Sequence, residues 1–167
     1  AILFWTLNIA AAESPYQAEA NRAIKALSDA EIDGLRKGKG MGFAKAAELN
    51  HYPGPKHVLE LADELKLSGS QLQVTEDIFQ QMQAEAIRLG NELLEKEQEL
   101  DRLFVERLAN TERVKQLLSQ IAYTRSDLRG VHLLAHLRLR EVLTPEQIVD
   151  YDRLRGYSRA EKHHQHN

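Results

Sequence analysis

Cysteine is absent from the 167 residues. That excludes a disulfide framework, a thiolate metal site and a thiol nucleophile. Aromatic residues make up only 6%, low for a β-sandwich. There is no basic excess either. The formal net charge of -3 argues against a nucleic-acid binder. Met41 and Met82 are the only methionines, so there is no Met-rich copper motif. No Gly-rich phosphate loop follows a strand, and no nucleophile elbow or His-Glu-x-x-His occurs. The carboxylates fall mostly on polar helix faces, a poor place to raise a pKa for acid–base work. An enzyme is therefore not expected.

What is present is 43% hydrophobic and 28% charged residues, a soluble balance with a helical lean. Four segments differ in character. Residues 1–12 carry no charge and are too short to span a bilayer as a helix. They fit the h-region of a secretory signal clipped at its front, with Ala10–Ala12 as the small-residue site. An apolar strand or helix packed on the domain is the alternative, and membrane tethering by this segment is a third. Residues 13–54 read as a helical and loop extension, 55–157 as the main helical domain, and 158–167 as a polar tail with His163, His164 and His166.

Four Ser/Thr residues precede a Glu or Gln by three positions: Ser14/Gln17, Ser28/Glu31, Ser68/Gln71 and Thr144/Gln147. Each pattern predicts a capping box and hence a helix start. Leu27 with Ile32, Leu67 with Leu72, and Leu143 with Ile148 supply hydrophobic staples. The stretch from Leu35 to Gly42 carries three glycines and three cations. It reads as a solvated loop, or as a nest of amides around an anion. A short apolar stretch, Phe43–Leu49, and a turn, 50–55, lead to a helix expected from Pro55 to about Lys66.

From Ser70 to Asn110, apolar residues recur in steps of three, four and seven. The seam is Leu72, Phe79, Met82, Ala86, Leu89, Leu93, Leu100 and Leu103, interrupted by Thr75 and Lys96. Glu92, Glu95, Glu97, Glu99 and Asp101 are expected on a solvated face. A second seam runs through Val114, Leu117, Ile121, Leu128, Val131, Ala135 and Val142. Two long helices joined near Ala109–Glu112 make an antiparallel hairpin. Leu133, Leu134 and Leu137 add apolar surface outside the seam, which predicts a second protomer. The fold class is thus all-α: a long hairpin with shorter flanking helices, four main helices in all. Gly90 and Gly130 sit inside the long helices, where they mark bends or close approach.

The boxes Leu67-Ser-Gly-Ser-Gln71 and Leu143-Thr-Pro-Glu-Gln147 repeat a pattern that closes one helix and opens the next. The second matches LTxxQ; the first has Ser68 for Thr. With Gly40–Asn50 and Tyr52–Ala62, this layout resembles the Spy/CpxP-like envelope proteins, some of them described as periplasmic heavy-metal sensors. The resemblance implies a periplasmic protein and a cradle-like antiparallel dimer. It implies ATP-independent holding of unfolded clients, partnership with a membrane sensor, or divalent-metal binding. Its relatives' metal ligands do not fall on the histidines of this chain.

The histidines are read from spacing instead. His132 and His136 stand four apart, on one helix face. Zinc, copper(II) or nickel accepts such imidazoles but needs further ligands. His57, with Glu60 one turn later, is expected to approach that pair, and His51 is a weaker candidate. The competing reading packs His132 and His136 at the dimer seam.

Overall fold

The structure is a computed structural model and describes residues 14–157. The signal-like segment 1–12 and the tail histidines lie outside the described residues. Among the described residues there is no strand. The helices are α1 (Asp29–Arg36), α2 (Lys45–Glu48), α3 (Pro55–Glu60), α4 (Gly69–Val105), α5 (Thr111–Val142) and α6 (Pro145–Leu154). No helix among the described residues is long and apolar enough to cross a membrane.

Three of the four expected capping boxes form. Ser28, Ser68 and Thr144 each accept the N3 amide, and Glu31, Gln71 and Gln147 each return to the N-cap amide. The fourth does not. Ser14 instead accepts the amide of Tyr16 at 3.2 Å, and the chain makes only a 3-10 turn at Gln17–Glu19. Nothing among that turn's residues is buried, so no packing sustains a helix there. The helix from Pro55 is also shorter than expected. It ends at Glu60, and turns carry the chain to Lys66, which has φ 51°. Leu67 N then bonds Ala62 O and Lys66 N bonds Asp63 O, a Schellman ending. Arg107 closes α4 in the same way, short of Asn110: φ is 57°, and Leu108 N bonds Leu103 O. Asn110 then caps α5 by accepting the Arg113 amide at 3.0 Å.

The hairpin of α4 and α5 is the frame. At ~1.5 Å per residue, α4 is roughly 55 Å long. Its seam departs from the sequence pattern where Ile78, not Phe79, takes the fully buried place. Thr75 does not break the helix. It is buried, and its hydroxyl is satisfied by donating to Gln71 O at 2.7 Å. The charged face is not all solvated. Glu97 is buried against Arg125 at 3.2 Å, Asp101 binds Lys25 at 2.9 Å, and Glu92 accepts from Thr124 at 3.1 Å.

Two cores flank the hairpin. One joins Ile24, Leu27, Ile32 and Leu35 to Leu89, Leu93, Ile121 and Leu128. Residues before the hairpin therefore share its core. The other joins Val58 and Leu65 to Ile78, Ala135, Leu139 and Tyr151. Each such aliphatic side chain contributes ~1.5–3 kcal/mol by leaving water. Beyond Leu103 the tip is bare, and Phe104, Val105 and Leu108 are exposed.

The two Leu-x-x-x-Gln boxes meet at the base of the hairpin. Gln71 Nε2 donates to Gln147 Oε1 at 2.8 Å, and Gln147 Nε2 donates to Gln71 Oε1 at 3.1 Å. The same amide groups reach Val142 O at 2.9 Å and Leu65 O at 3.1 Å. Each Gln thus caps its own helix, grips the other box and ties down a carbonyl just ahead of that other box. A carboxylate can cap, as Glu31 does in α1, but it cannot donate.

Candidate functional site

His132 and His136 are buried within the single chain, not left for a dimer seam. They are 3% and 7% exposed and face the segment before α3. The 3.6-residue helical repeat puts both rings on the inner face of α5, where the 43–55 stretch covers them. Phe43 stacks on His132 with ring centroids 5.7 Å apart. His136 Nδ1 donates to Tyr52 O at 2.7 Å. In the neutral ring this leaves a lone pair on Nε2. His132 Nε2 is buried without a hydrogen-bond partner. Burial, and then the charge of His136, pull the His132 pKa down to about 4, so this imidazole is neutral at pH 7.

Glu48 organises the same region. Its Oε1 accepts from Tyr151 OH at 2.6 Å and Tyr157 OH at 3.0 Å. Its Oε2 lies 3.7 Å from His136 Nδ1 and has no hydrogen-bond partner. Burial, followed by the bond to Glu48, pushes the Tyr151 hydroxyl above its ordinary pKa. Tyr151 OH also accepts the Gly54 amide at 3.4 Å. One residue on, buried Asp152 holds His51 Nδ1 at 2.6 Å. Arg140 stacks its guanidinium 4.3 Å from the Tyr52 ring centre. Helices α5 and α6 therefore clamp the 48–54 segment through its side chains and its backbone.

Gly54 is needed here for space. Its φ is -88°, which any residue adopts. A Cβ would stand 2.9 Å from His136 Cε1 and 3.2 Å from Glu48 Oε2. The backbone crosses the imidazole edge at contact distance.

These groups border a half-open cavity of about 500 Å³. His57, His132, His136 and Glu48 line it, together with Phe79, Met82 and Pro55. The loop between α1 and α2 supplies Lys37, Lys39 and Met41, α2 supplies Lys45, and α3 supplies Lys56. Met41 and Gly42 have left-handed φ of 43° and 81°. The amides of Gly40, Met41 and Gly42 donate to no carbonyl or side chain among the described residues. Asp33 is held by Lys37 and then Lys39, whose hydrogen bonds lower its pKa to about 2.

Of the histidines and carboxylate read as metal ligands, His57, His132 and His136 reach this one cavity. Glu60 and His51 do not line it. Glu60 instead accepts from His57 Nδ1 at 2.9 Å, and that bond lowers the Glu60 pKa. Among the described residues, no three His, Cys, Asp or Glu side chains are grouped to hold an ion. Sequence reasoning passed over Glu48, Gly54, Tyr151 and Asp152. Glu48 carried a signal: it is the lone carboxylate in the apolar stretch Phe43–Leu49. The other three owe their roles to contacts about 100 residues away in sequence, which local patterns do not reveal. The capping residues Leu67, Ser68, Gln71, Leu143, Thr144 and Gln147 sit at the hairpin base, away from this cavity's lining. No family model, curated protein or solved structure matches this chain.

Proposed function

We propose that this chain is a non-catalytic binding protein of the cell envelope, a holding chaperone or stress adaptor of the kind the repeated LTxxQ-type boxes suggest. It engages partly unfolded clients through the outer side of its hairpin, as a homodimer. The observation that carries this reading is the exposed apolar row on α5. Tyr123, Leu134 and Leu137 are 75%, 58% and 47% exposed. At ~100° per residue they fall within roughly a 60° arc. Phe104, Val105 and Leu108 expose further apolar side chains at the tip. Large apolar side chains left exposed on one helix face support a binding role.

The test is suppression of aggregation of a chemically denatured model protein diluted into buffer. Equimolar chain is expected to suppress light scattering. The variant Tyr123→Ser/Leu134→Asp/Leu137→Asp, with unchanged far-UV circular dichroism, is expected to lose that effect. Full activity in the triple variant, or none in the parent, sinks the proposal.

A second reading, binding of zinc, copper or nickel, is favoured by one observation. His136 Nδ1 donates to a backbone carbonyl, the arrangement that orients a metal-ligating imidazole through Nε2. Zinc calorimetry on a chain with His163, His164 and His166 changed to Ala tests it. Micromolar binding lost in His132→Ala/His136→Ala supports it, and absence of binding removes it.

A further inference from the structure

The cavity walls are of two kinds. Phe79 and Met82 of α4 and Pro55 of α3 supply apolar surface at its side. Lys37, Lys39 and Lys56 are 63%, 55% and 66% exposed and border its mouth. The first two share Asp33, at 2.6 and 2.7 Å, and Lys56 reaches Glu60 only at 3.5 Å. Lys45, also exposed, has no carboxylate partner among the described residues. The one carboxylate in the lining, Glu48, is held at Oε1 by two tyrosine hydroxyls, with Oε2 buried and unbonded. An ammonium-rich mouth over an apolar wall attracts a negative head group on an apolar body. The volume is about 500 Å³, within the range of small-molecule pockets.

A second observation points inward. His132 lines the cavity and is 3% exposed, yet its Nε2 has no partner. A buried polar atom left this way costs free energy, so the protein's own groups leave this wall of the cavity incompletely satisfied.

We propose that this cavity binds a small amphipathic monoanion, a medium-chain carboxylate. Its head group sits among the ammonium groups of Lys45 and Lys56, and its apolar body lies against Phe79 and Met82. The unpaired amides of Gly40 to Gly42 border the same mouth and add donors for the head group. This site is separate from the apolar row on α5 and needs neither metal nor client.

The probe is sodium octanoate, below its micellar concentration, titrated into the full chain by calorimetry, with octanol as the uncharged control. Saturable binding of one octanoate per chain is expected, with octanol at least about tenfold weaker, since bonds to charged groups carry that much. Lys45→Ala/Lys56→Ala changes only exposed side chains, so the fold persists. It is expected to weaken octanoate about tenfold and to leave octanol unchanged. Gln83→Trp, which fills the cavity from α4, is expected to abolish binding of both. The proposal is overturned by absence of saturable binding, by equal affinity for octanol, or by an octanoate affinity indifferent to the lysine pair. It is also overturned if phosphatidylglycerol vesicles bind through the lysines while free octanoate does not, which would assign them to a lipid surface.

Discussion

Two glycines inside the long helices allow a prediction of opposite sign from the same substitution. Replacing a mid-helix glycine by alanine ordinarily stabilises a helix by up to ~1 kcal/mol, because alanine has less chain entropy to lose. Gly130 is in α5, and a Cβ there meets nothing within 4 Å. Gly130→Ala is therefore expected to gain that amount. Gly90 is in α4, where α1 crosses. A Cβ there would overlap the Leu35 carbonyl oxygen and lie 2.9 Å from the Leu35 carbonyl carbon. That neighbour is backbone, tied into α1, and cannot swing aside as a side chain would. Forcing α1 away disturbs Leu35 and Ile32, both in the core shared with Leu89 and Leu93. Overpacking costs ~1–3 kcal/mol, which outweighs the helix gain. Gly90→Ala is expected to be destabilising by ~1–2 kcal/mol net. For a chain of this size the two variants should straddle the parent by several degrees in Tm, at ~2–4 °C per kcal/mol. Urea unfolding followed by circular dichroism decides it, with matched m values as the check on two-state behaviour. A Gly90→Ala variant as stable as Gly130→Ala would refute the close crossing of α1 over α4.

Gln71→Glu keeps the cap on Ser68 but loses both donors and sets a carboxylate against Gln147 Oε1. It is expected to cost ~1–3 kcal/mol in urea unfolding, whereas Glu31→Gln in the isolated α1 box should be near neutral. His132 carries a pH prediction. Its folded pKa, about 4, lies below the unfolded value near ~6.5, so the unfolded chain binds the proton first. The His132 contribution is intact above ~pH 6.5 and is lost as pH falls toward 4, on the order of 3 kcal/mol in all. Denaturation midpoints at neutral and acid pH should therefore differ less in His132→Gln than in the parent, and equal slopes would contradict the burial argument. Arg107, left-handed at φ 57°, should accept glycine with a gain of ~1 kcal/mol by thermal unfolding.

The helices were legible where signals were local. Ser28, Ser68 and Thr144 announced their starts because a capping box is written within four residues. The hairpin was legible because its apolar period persists over about nine turns in each helix. Endings were less legible: Lys66 and Arg107 take the left-handed position that composition reserves for glycine. Ser14 carried a start signal without buried residues after it, and the signal alone did not suffice. On the inner face of α5 the apolar period is incomplete. Val131 and Val142 pack against the cores but stay partly exposed, while His132, His136 and Leu139, which the period omits, are buried. The reason lies outside α5. Tyr52 offers a carbonyl to His136 and Phe43 a ring surface to His132, so both imidazoles bury although His132 Nε2 goes without a partner. A residue's own helix cannot announce what a segment more than 80 positions away brings to it.

The paired glutamines at the hairpin base are uncharged. Their interlocked bonds neither titrate between about pH 3 and 10 nor weaken as the Debye length shrinks with added salt. The opposite holds at the cavity mouth, where Lys37 and Lys39 on Asp33 and Lys56 on Glu60 form exposed ion pairs that weaken as ionic strength rises. The molecule thus has an anchor indifferent to its medium beside a flank that senses it. Added salt would weaken the lysine contacts of the 37–56 stretch while α4, α5 and α6 stay joined at their common corner.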